Sequence, residues 1–512
     1  MMDLLHHLDL HHVGHDLHAF VDDLIRPGGG QSYSGSRSSG GSSRSSGGGG
    51  SYHSSGGSSS GGGGDGGAFF VLLINLVFRY PAVGIPLVIV VVIALVVMKM
   101  RSGDGTAGWA SQDLSSVAFE PPEEEEDVPA TTGVPRRELD RIRETDPDFS
   151  IVLFEDFLYT LYAEMMRARG QQGAMQLAAY LSPAVQQVLV AKSMQSVSGI
   201  VIGAMRVSSL ERTQNSWRVT LDFETNLTEA NQRLYVVDRV AVERGLNAKS
   251  RPPARSRTLD CPNCGAPLHN LRGDTCTYCK QQVGMGRFDW SVVYFERLQS
   301  ENRGPLLTSD VEETGTDAPT IVDPMSQQEL ANLRQRDPSF DWNAFQQRVG
   351  LAFNEMQIGW SNRDLSKVRP YVSDNLFQTQ AYWIDLYVQA RARNITEGAR
   401  IGRIDLANVI CDKYYDAITI RLFATSSDYT ISDDGKLLSG NKSKQRAYSE
   451  YWTWIRGAGK QGPTKTTPNC PSCGAPLQIN QAGSCQYCNV KVTTGEFDWV
   501  LSRIEQDDSY TG

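Results

Sequence analysis

Along the C-terminal part of the chain, apolar positions change from helical spacing to the alternation of β-strands, and they do so twice. Two apolar stripes recur every three to four residues: Phe154, Leu158, Leu161 and Met165, then Phe345, Val349, Ala352 and Met356. Strand-like runs follow the first stripe at 217–223, 235–242 and 288–295, and the second at 417–423, 448–455 and 497–504. Helices followed by antiparallel strands predict an α+β fold in each half.

Each half opens on a related tetrapeptide, Asp-Pro-Asp-Phe at 146–149 and Asp-Pro-Ser-Phe at 337–340. Aspartate before proline is typical of a helix N-terminus, so Asp146 and Asp337 are predicted N-caps. A second helix is expected to start at Ser182-Pro183 and at Ser373. Further identities at the same offset of 191 residues indicate an internal duplication: Phe154 and Phe345, Glu164-Met165 and Glu355-Met356, Tyr180 and Tyr371, and Ser182 and Ser373.

The first 67 residues have a different character. Residues 1–27 are predicted to form an amphipathic helix that carries several histidines at helical spacing: His7, His11, His15 and His18. Histidines four residues apart can chelate a metal, and a polar face that happens to use histidine is the simpler interpretation. Residues 28–67 are almost entirely glycine and serine, which predicts a flexible linker. The start lacks the basic and apolar regions of a secretory signal.

The longest apolar run, 68–101, is predicted to be a transmembrane segment. Arg79-Tyr80-Pro81 divides it, and the second part, 82–98, approaches the length that crosses a hydrocarbon core. A buried helix of a globular domain is the alternative. Lys99 and Arg101 follow the span, which favours the cytoplasm for the C-terminal side. An inner-membrane, single-pass protein is therefore expected.

Charge and length narrow the possible partners and the domain count. Residues 102–134 contain an unbroken acidic run, 123–127, and are predicted to be a solvated linker. A formal net charge of −9 argues against a general nucleic-acid binder, so no nucleic-acid partner is expected. At 512 residues the chain can hold two or three domains. We predict them at 135–300 and 325–506, joined by a linker at 301–324.

Eight of the nine cysteines form two copies of one motif, Cys-Pro-x-Cys-Gly-Ala-Pro-Leu followed by Cys-x-Tyr-Cys and then Phe-Asp-Trp. The predicted metal ligands are Cys261, Cys264, Cys276 and Cys279 in ribbon 259–284, and Cys470, Cys473, Cys485 and Cys488 in ribbon 468–493. Two CxxC turns are typical of a structural zinc site, so two Zn²⁺ ions are predicted. Iron or a thiol–disulfide pair are the alternatives. The ninth cysteine, Cys411, is expected in the core or in a strand.

The ribbon sequences also predict how the sites are built. Gly265 and Gly474 follow the first CxxC turns, where a positive φ lets backbone amides face the sulfurs. Lys280 and Asn489 follow the second turns. Four thiolates leave no coordination position for water, so hydrolytic chemistry is not expected. The ribbon is either a staple for a loop too small to build a core or a docking surface.

This combination resembles bacterial proteins with a Tim44-like domain, which is named for the tether of a mitochondrial import motor. The resemblance covers 135–506 as two copies, together with the glycine- and serine-rich stretch and the span that follows it. It implies two cone-shaped α+β domains, similar to nuclear transport factor two and cystatin, each with an apolar cavity and an inserted ribbon. It also implies a membrane-associated scaffold or tether.

The leading hypothesis is a non-enzymatic membrane scaffold that contacts the lipid bilayer and binds an unidentified protein partner or an apolar ligand in the cone cavity. An enzyme acting in the cavity, of isomerase or dehydratase type, is the first alternative. It would require a general base in an apolar pocket. Asp222 and Asp405 lie near predicted strands, although both are expected to face solvent. A ribosome- or RNA-associated factor is the second alternative.

Overall fold

The computed structural model describes residues 135–512, apart from 170–172, 192–196, 231, 257, 303–312, 314, 463, 465–468, 481 and 508. The predicted helix at 1–27, the linkers at 28–67 and 102–134, and the predicted transmembrane segment at 68–101 lie outside the described residues. Within the part of the chain that is described, none of the helices has the length and apolar character to span a bilayer.

The described residues contain two successive sets of helices and strands. The first half has α1 (Ile151–Arg167), α2 (Gly173–Gln176), α3 (Pro183–Val190), β1 (Val197–Arg212), β2 (Ser216–Glu229), β3 (Gln232–Gly245), α4 (Pro253–Ser256), β4 (Leu271–Arg272), β5 (Thr275–Cys276) and β6 (Ser291–Glu301). The second half has α5 (Ser326–Arg336), α6 (Trp342–Asn362), α7 (Asp374–Gln389), β7 (Ala392–Cys411), β8 (Tyr415–Ser432), β9 (Leu437–Gly457) and β10 (Val500–Gln506). Short 3₁₀ helices lie at Arg136–Glu144, Leu268–Asn270 and Arg369–Tyr371.

Each half contains a four-stranded antiparallel sheet, with strand orders β1-β2-β3-β6 and β10-β9-β8-β7. The α+β fold predicted from the periodicity is confirmed. The cysteine-rich stretches connect neighbouring strands, β3 to β6 and β9 to β10, as elaborated hairpin tips. The strands predicted at 288–295 and 497–504 begin later, at Ser291 and Val500, because the Phe-Asp-Trp residues lie in the bend before each strand.

The sequence pattern did not indicate β1, and of β7 it indicated only the end around Cys411. Both are long edge strands whose pairing shifts register three times, near Val197, Ile202 and Val207 in β1 and near 397, 401 and 406 in β7. Such bulges break the two-residue alternation by which a strand is recognised in sequence. The alternation of apolar and polar residues was therefore interrupted in these two strands.

The predicted N-caps at Asp146 and Asp337 are wrong. Helix α1 is capped by Ser150, whose hydroxyl accepts a hydrogen bond from the Leu153 amide, and α6 is capped by Asp341. The two aspartates lie in the preceding turns, where each makes a buried ion pair instead. The starts predicted at Ser182 and Ser373 are confirmed, since both serines cap their helices, α3 and α7.

The two halves pack against each other within one compact unit. Val152 and Leu153 of α1 contact Tyr415 and Ala417 of β8 and Ile455 of β9. These contacts cover one end of the outer face of the second sheet, and backbone carbonyls of 315–318 cover Arg421 farther along β8. Almost every residue of β8 is buried, whereas β2 alternates between buried and more exposed positions along its first half. The first helix of one half thus forms a buried cluster with the sheet of the other.

Candidate metal centres

The structure brings the eight predicted cysteines together into two clusters of four, and in each the sulfur atoms all lie within 4.8 Å of one another. Cys261 is 3.9 Å from Cys279 and Cys264 is 3.8 Å from Cys276. The matching distances in the second ribbon are 3.8 and 4.0 Å. A zinc–sulfur bond of about 2.3 Å gives a tetrahedron with an edge of about 3.8 Å. Both clusters therefore fit a tetrahedral metal with four thiolate ligands.

Local backbone geometry explains why the sulfurs converge. Gly265, Lys280, Gly474 and Asn489 all have a positive φ, between 57° and 79°. Each donates its amide to the carbonyl of the cysteine four residues earlier, at 2.8–2.9 Å. The four positions inferred from the CxxC turns are therefore confirmed, including Lys280, whose side chain tolerates this conformation less readily than glycine.

The thiols of each cluster differ in acidity. A hydrogen bond from the Asn263 side chain lowers the pKa of Cys279 to about 6. Burial acts to raise the pKa of Cys470, but the backbone amides of Cys473 and Ser472 lower it to about 7. Each cluster thus contains one thiol that ionises readily, and metal ligation requires the thiolate.

The first ribbon is fastened to the α+β core by Tyr180 and Arg251. The Tyr180 hydroxyl donates to the Asp260 carbonyl at 2.6 Å, and Arg251 pairs with the carboxylates of Asp260 and Asp289. Asp289 is the aspartate of the Phe-Asp-Trp motif.

The second ribbon uses different residues for the same purpose. Arg348 of α6 donates to the Trp499 carbonyl at 2.6 Å and lies 3.3 Å from Asp498. The Thr493 hydroxyl donates to Asp374 at the start of α7, at 3.0 Å. In both halves the motif aspartate is therefore held by a buried arginine, although the two arginines come from different elements.

A repeated lock joins the opening tetrapeptide to the Phe-Asp-Trp motif in the first half. Arg244, at the end of β3, lies 2.9 Å from Asp146 and stacks over the Trp290 ring at 4.9 Å. The same indole contacts Phe149 and Phe154.

The second half repeats this lock residue for residue. Arg456, at the end of β9, lies 2.9 Å from Asp337 and 4.7 Å from the Trp499 ring. Trp499 in turn contacts Phe340 and Phe345. Neither arginine was predicted from the sequence, although the Arg-Gly pairs at 244–245 and 456–457 mark equivalent positions in the two halves. The glycine amides bond to the equivalent carbonyls of Gly286 and Gly495 at 2.8 Å.

A buried acidic residue occupies the same position of the third strand in each half. Asp238 accepts hydrogen bonds from the Tyr162 hydroxyl at 2.6 Å and from Arg297 at 2.8 Å. Its counterpart, Glu450, accepts from the Trp452 indole at 2.8 Å and from Gln506 at 3.5 Å. Aligning the strands predicted at 235–242 and 448–455 by the Arg-Gly pairs at their ends places Asp238 over Glu450, so the pair could have been found.

The two aspartates that were weighed as general bases lie elsewhere. Asp222 accepts two hydrogen bonds from Arg239, at 2.7 and 2.8 Å, and one from Ser208. Asp405 accepts from Thr320 at 2.8 Å and pairs with Arg403 at 3.1 Å. Both carboxylates are partly exposed and paired with a cation, and neither belongs to the buried acidic pair.

Comparison with known proteins finds a family similarity in the second half. Residues 326–465 match the family described as the Tim44-like domain, which confirms the resemblance to that domain for this segment. Among solved structures, the chain matches an "Ntf2 like protein involved in plasmid conjugation" at 7% identity, with a TM-score of 0.15, over 69% of this chain and 96% of that chain. No curated protein matches the chain.

Proposed function

We propose that this chain, whose residues 326–465 match the Tim44-like domain, is a membrane-anchored, non-enzymatic scaffold. The predicted span at 68–101 holds it in the inner membrane, and both α+β halves face the cytoplasm. There they bind a partner protein or an apolar ligand in the cone interior. The observation that carries this proposal is the family match, because the resemblance implies a membrane-associated tether.

Each ribbon holds one Zn²⁺ as a structural staple in this proposal. Cys261, Cys264, Cys276 and Cys279 would hold the first ion, and Cys470, Cys473, Cys485 and Cys488 the second. The fit of the sulfur spacing to a tetrahedron and the all-thiolate donor set support zinc. When bound, the metal supplies folding energy to a loop that has few apolar residues of its own.

The ribbons also act as docking elements. Tyr278 and Tyr487 occupy the same place in the two Cys-x-Tyr-Cys turns, and they are 76% and 56% exposed. Most other exposed ribbon positions carry different residues in the two halves, whereas this position carries tyrosine in both. Because the two rings are exposed, packing inside the ribbon does not account for this identity. Exposed aromatic side chains are typical anchors of protein interfaces.

A non-catalytic role is supported by the state of the buried acids. A general base must be available to take a proton from a substrate. Arg297 and the Tyr162 hydroxyl both hold the Asp238 carboxylate, and burial together with Asp238 raises the pKa of Tyr162 well above its usual value.

Proximity labelling of the full chain in its native membrane tests the scaffold. The wild-type protein should label a reproducible set of proteins, and a Tyr278→Ala/Tyr487→Ala variant should lose part of that set. A variant lacking 68–101 should leave the membrane fraction and lose labelling of membrane neighbours. A labelled set that contains only metabolic enzymes or ribosomal proteins would contradict the proposal.

A further inference from the structure

A crevice of about 290 Å³ lies where the two halves meet, apart from both ribbons. One wall is the exposed side of α1, with residues of β1 beside it. The opposite wall is the first turns of α7, and β9 and β10 complete the crevice. Because the walls come from both halves, the crevice exists only in the duplicated chain. Its volume is close to the lower end of the range for small-molecule sites, which begins at about 300 Å³.

A network of charges lies at the base of the crevice, where Glu155, Arg136 and Arg503 line the space and Glu505 lies behind them. Glu155 of α1 accepts hydrogen bonds from Arg136 and from Arg503, both at 2.5 Å. Glu505 lies 3.7 Å from Arg503 and 3.9 Å from Arg136. Two buried carboxylates therefore pair with the two buried guanidinium groups, so both cations already have counter-ions.

The side chains that line the crevice carry no net charge. Besides Glu155, Arg136 and Arg503, it contains Asp156, Glu164 and Arg167, so three cations face three anions. Arg167 pairs with Glu164 at 2.6 Å. A charged ligand would lose its hydration without gaining an available counter-ion, and this cost is high in a partly buried site.

Polar groups without partners point to a ligand with oxygen atoms. Tyr159 lines the crevice, and the Arg503 guanidinium lies over its ring. Among the described residues the Tyr159 hydroxyl makes no hydrogen bond. The Nε–H of Arg136 is buried and likewise has no acceptor in the described part of the chain. Buried polar groups are normally satisfied, and an unsatisfied one calls for a missing partner. Ile202, Leu376 and Ile455 add an apolar surface beside them.

We propose that this crevice binds a neutral small molecule that carries hydroxyl or carbonyl oxygens next to a short apolar portion. The oxygens accept hydrogen bonds from Tyr159 and from the guanidinium groups, and the apolar portion lies on the isoleucine and leucine side chains. The site goes beyond the proposed scaffold function, since it lies between the halves and involves neither the cone interiors nor the ribbons. Such a ligand would bridge the two halves.

Phenyl β-D-glucoside is a suitable probe because it is neutral and joins hydroxyl groups to one apolar ring. Phenyl β-D-glucuronide, which differs by a carboxylate, tests the predicted neutrality. Saturation-transfer NMR titrations use the full chain in lipid nanodiscs, with empty nanodiscs as the blank. We expect saturable binding of the glucoside and binding at least tenfold weaker for the glucuronide.

Substitutions place the binding in the crevice. Ala163→Trp fills the space beside α1 and should abolish binding, whereas Val188→Trp, at an exposed position of α3 outside the crevice, should leave it unchanged. Tyr159→Phe removes only a hydroxyl and should weaken binding about two- to tenfold, which keeps the test valid if Ala163→Trp fails to fold.

Three results would overturn the inference: no saturable binding of the glucoside, equal or tighter binding of the glucuronide, or unchanged binding in a folded Ala163→Trp variant and in Tyr159→Phe. The purified chain contains no partner protein, so these results are independent of the labelling experiment.

Discussion

The buried pair of Asp146 and Arg244 offers the sharpest test of the lock within the first half. Asp146 accepts hydrogen bonds from Arg244 at 2.9 Å, from the Ser250 amide at 2.9 Å and from the Ser250 hydroxyl at 2.6 Å. Both side chains of the ion pair are almost fully buried. Burial lowers the pKa of Arg244, and Asp146 opposes that effect. Replacing Asp146 by alanine therefore leaves a buried cation without its counter-ion.

The expected cost follows from this geometry. Removing one partner of a buried ion pair costs about 3–5 kcal/mol. Since about 1.4 kcal/mol corresponds to a factor of ten, opening of the lock should become about a hundred to a few thousand times more frequent. Hydrogen exchange of the full chain, followed by mass spectrometry, measures how often this region opens. It does not require that the whole protein unfold in one step. Amides of β3 and of 246–250 should exchange faster by that factor.

Asp148, two residues after Asp146, provides a matched control. Asp148 pairs with Lys413 on the surface, where ion pairs contribute little to stability, so Asp148→Ala should leave exchange at β3 unchanged. Amides of the second lock around Arg456 should also keep their wild-type rates. If Asp146→Ala and Asp148→Ala raise the β3 rates equally, or Asp146→Ala changes them less than about threefold, the lock does not have the energetic role argued from its burial.

Further predictions concern the metal centres, the contact at Glu155 and the ribbon tyrosines. Purified chain should contain two zinc ions by elemental analysis and Cys264→Ser only one, while Cys411→Ser keeps two; metal-free wild type would refute the assignment. Burial acts to raise the pKa of Glu155, but Arg136 and Arg503 lower it, so the contact between halves should persist as pH falls through the usual glutamate range and be lost only below it. Glu155→Gln should loosen that contact at every pH at which wild-type Glu155 is ionised, seen as faster proteolysis of the segment between β6 and α5. Tyr278→Ala/Tyr487→Ala should leave exchange rates unchanged, because neither ring is packed.

The sequence predicted those features that depend on local spacing. Each CxxC turn places two sulfurs three residues apart, and eleven residues separate the two turns of a ribbon. The ligand sets therefore followed from the motif alone, as did the positive φ after each turn. Apolar stripes identified α1 and α6, because residues three to four apart share one face of a helix. The hairpin position of each ribbon followed from its place between two strand-like runs.

Other features depend on contacts between distant residues and became visible only in the tertiary structure. Asp146 has the sequence context of an N-cap, yet Arg244, 98 residues away, decides its role. Bulges concealed β1 and most of β7, because their pairing partners, not their own alternation, keep them in the sheet.

Duplication itself was visible in the sequence, but the way in which its two products pack was not. Glu155 has no counterpart in the motifs, and its partner Arg503 lies 348 residues away. Local patterns fix which faces of an element are apolar, and they carry no information about which distant surface will cover them. Spacing along the chain therefore determined the metal ligands, and long-range packing alone created the crevice between the halves.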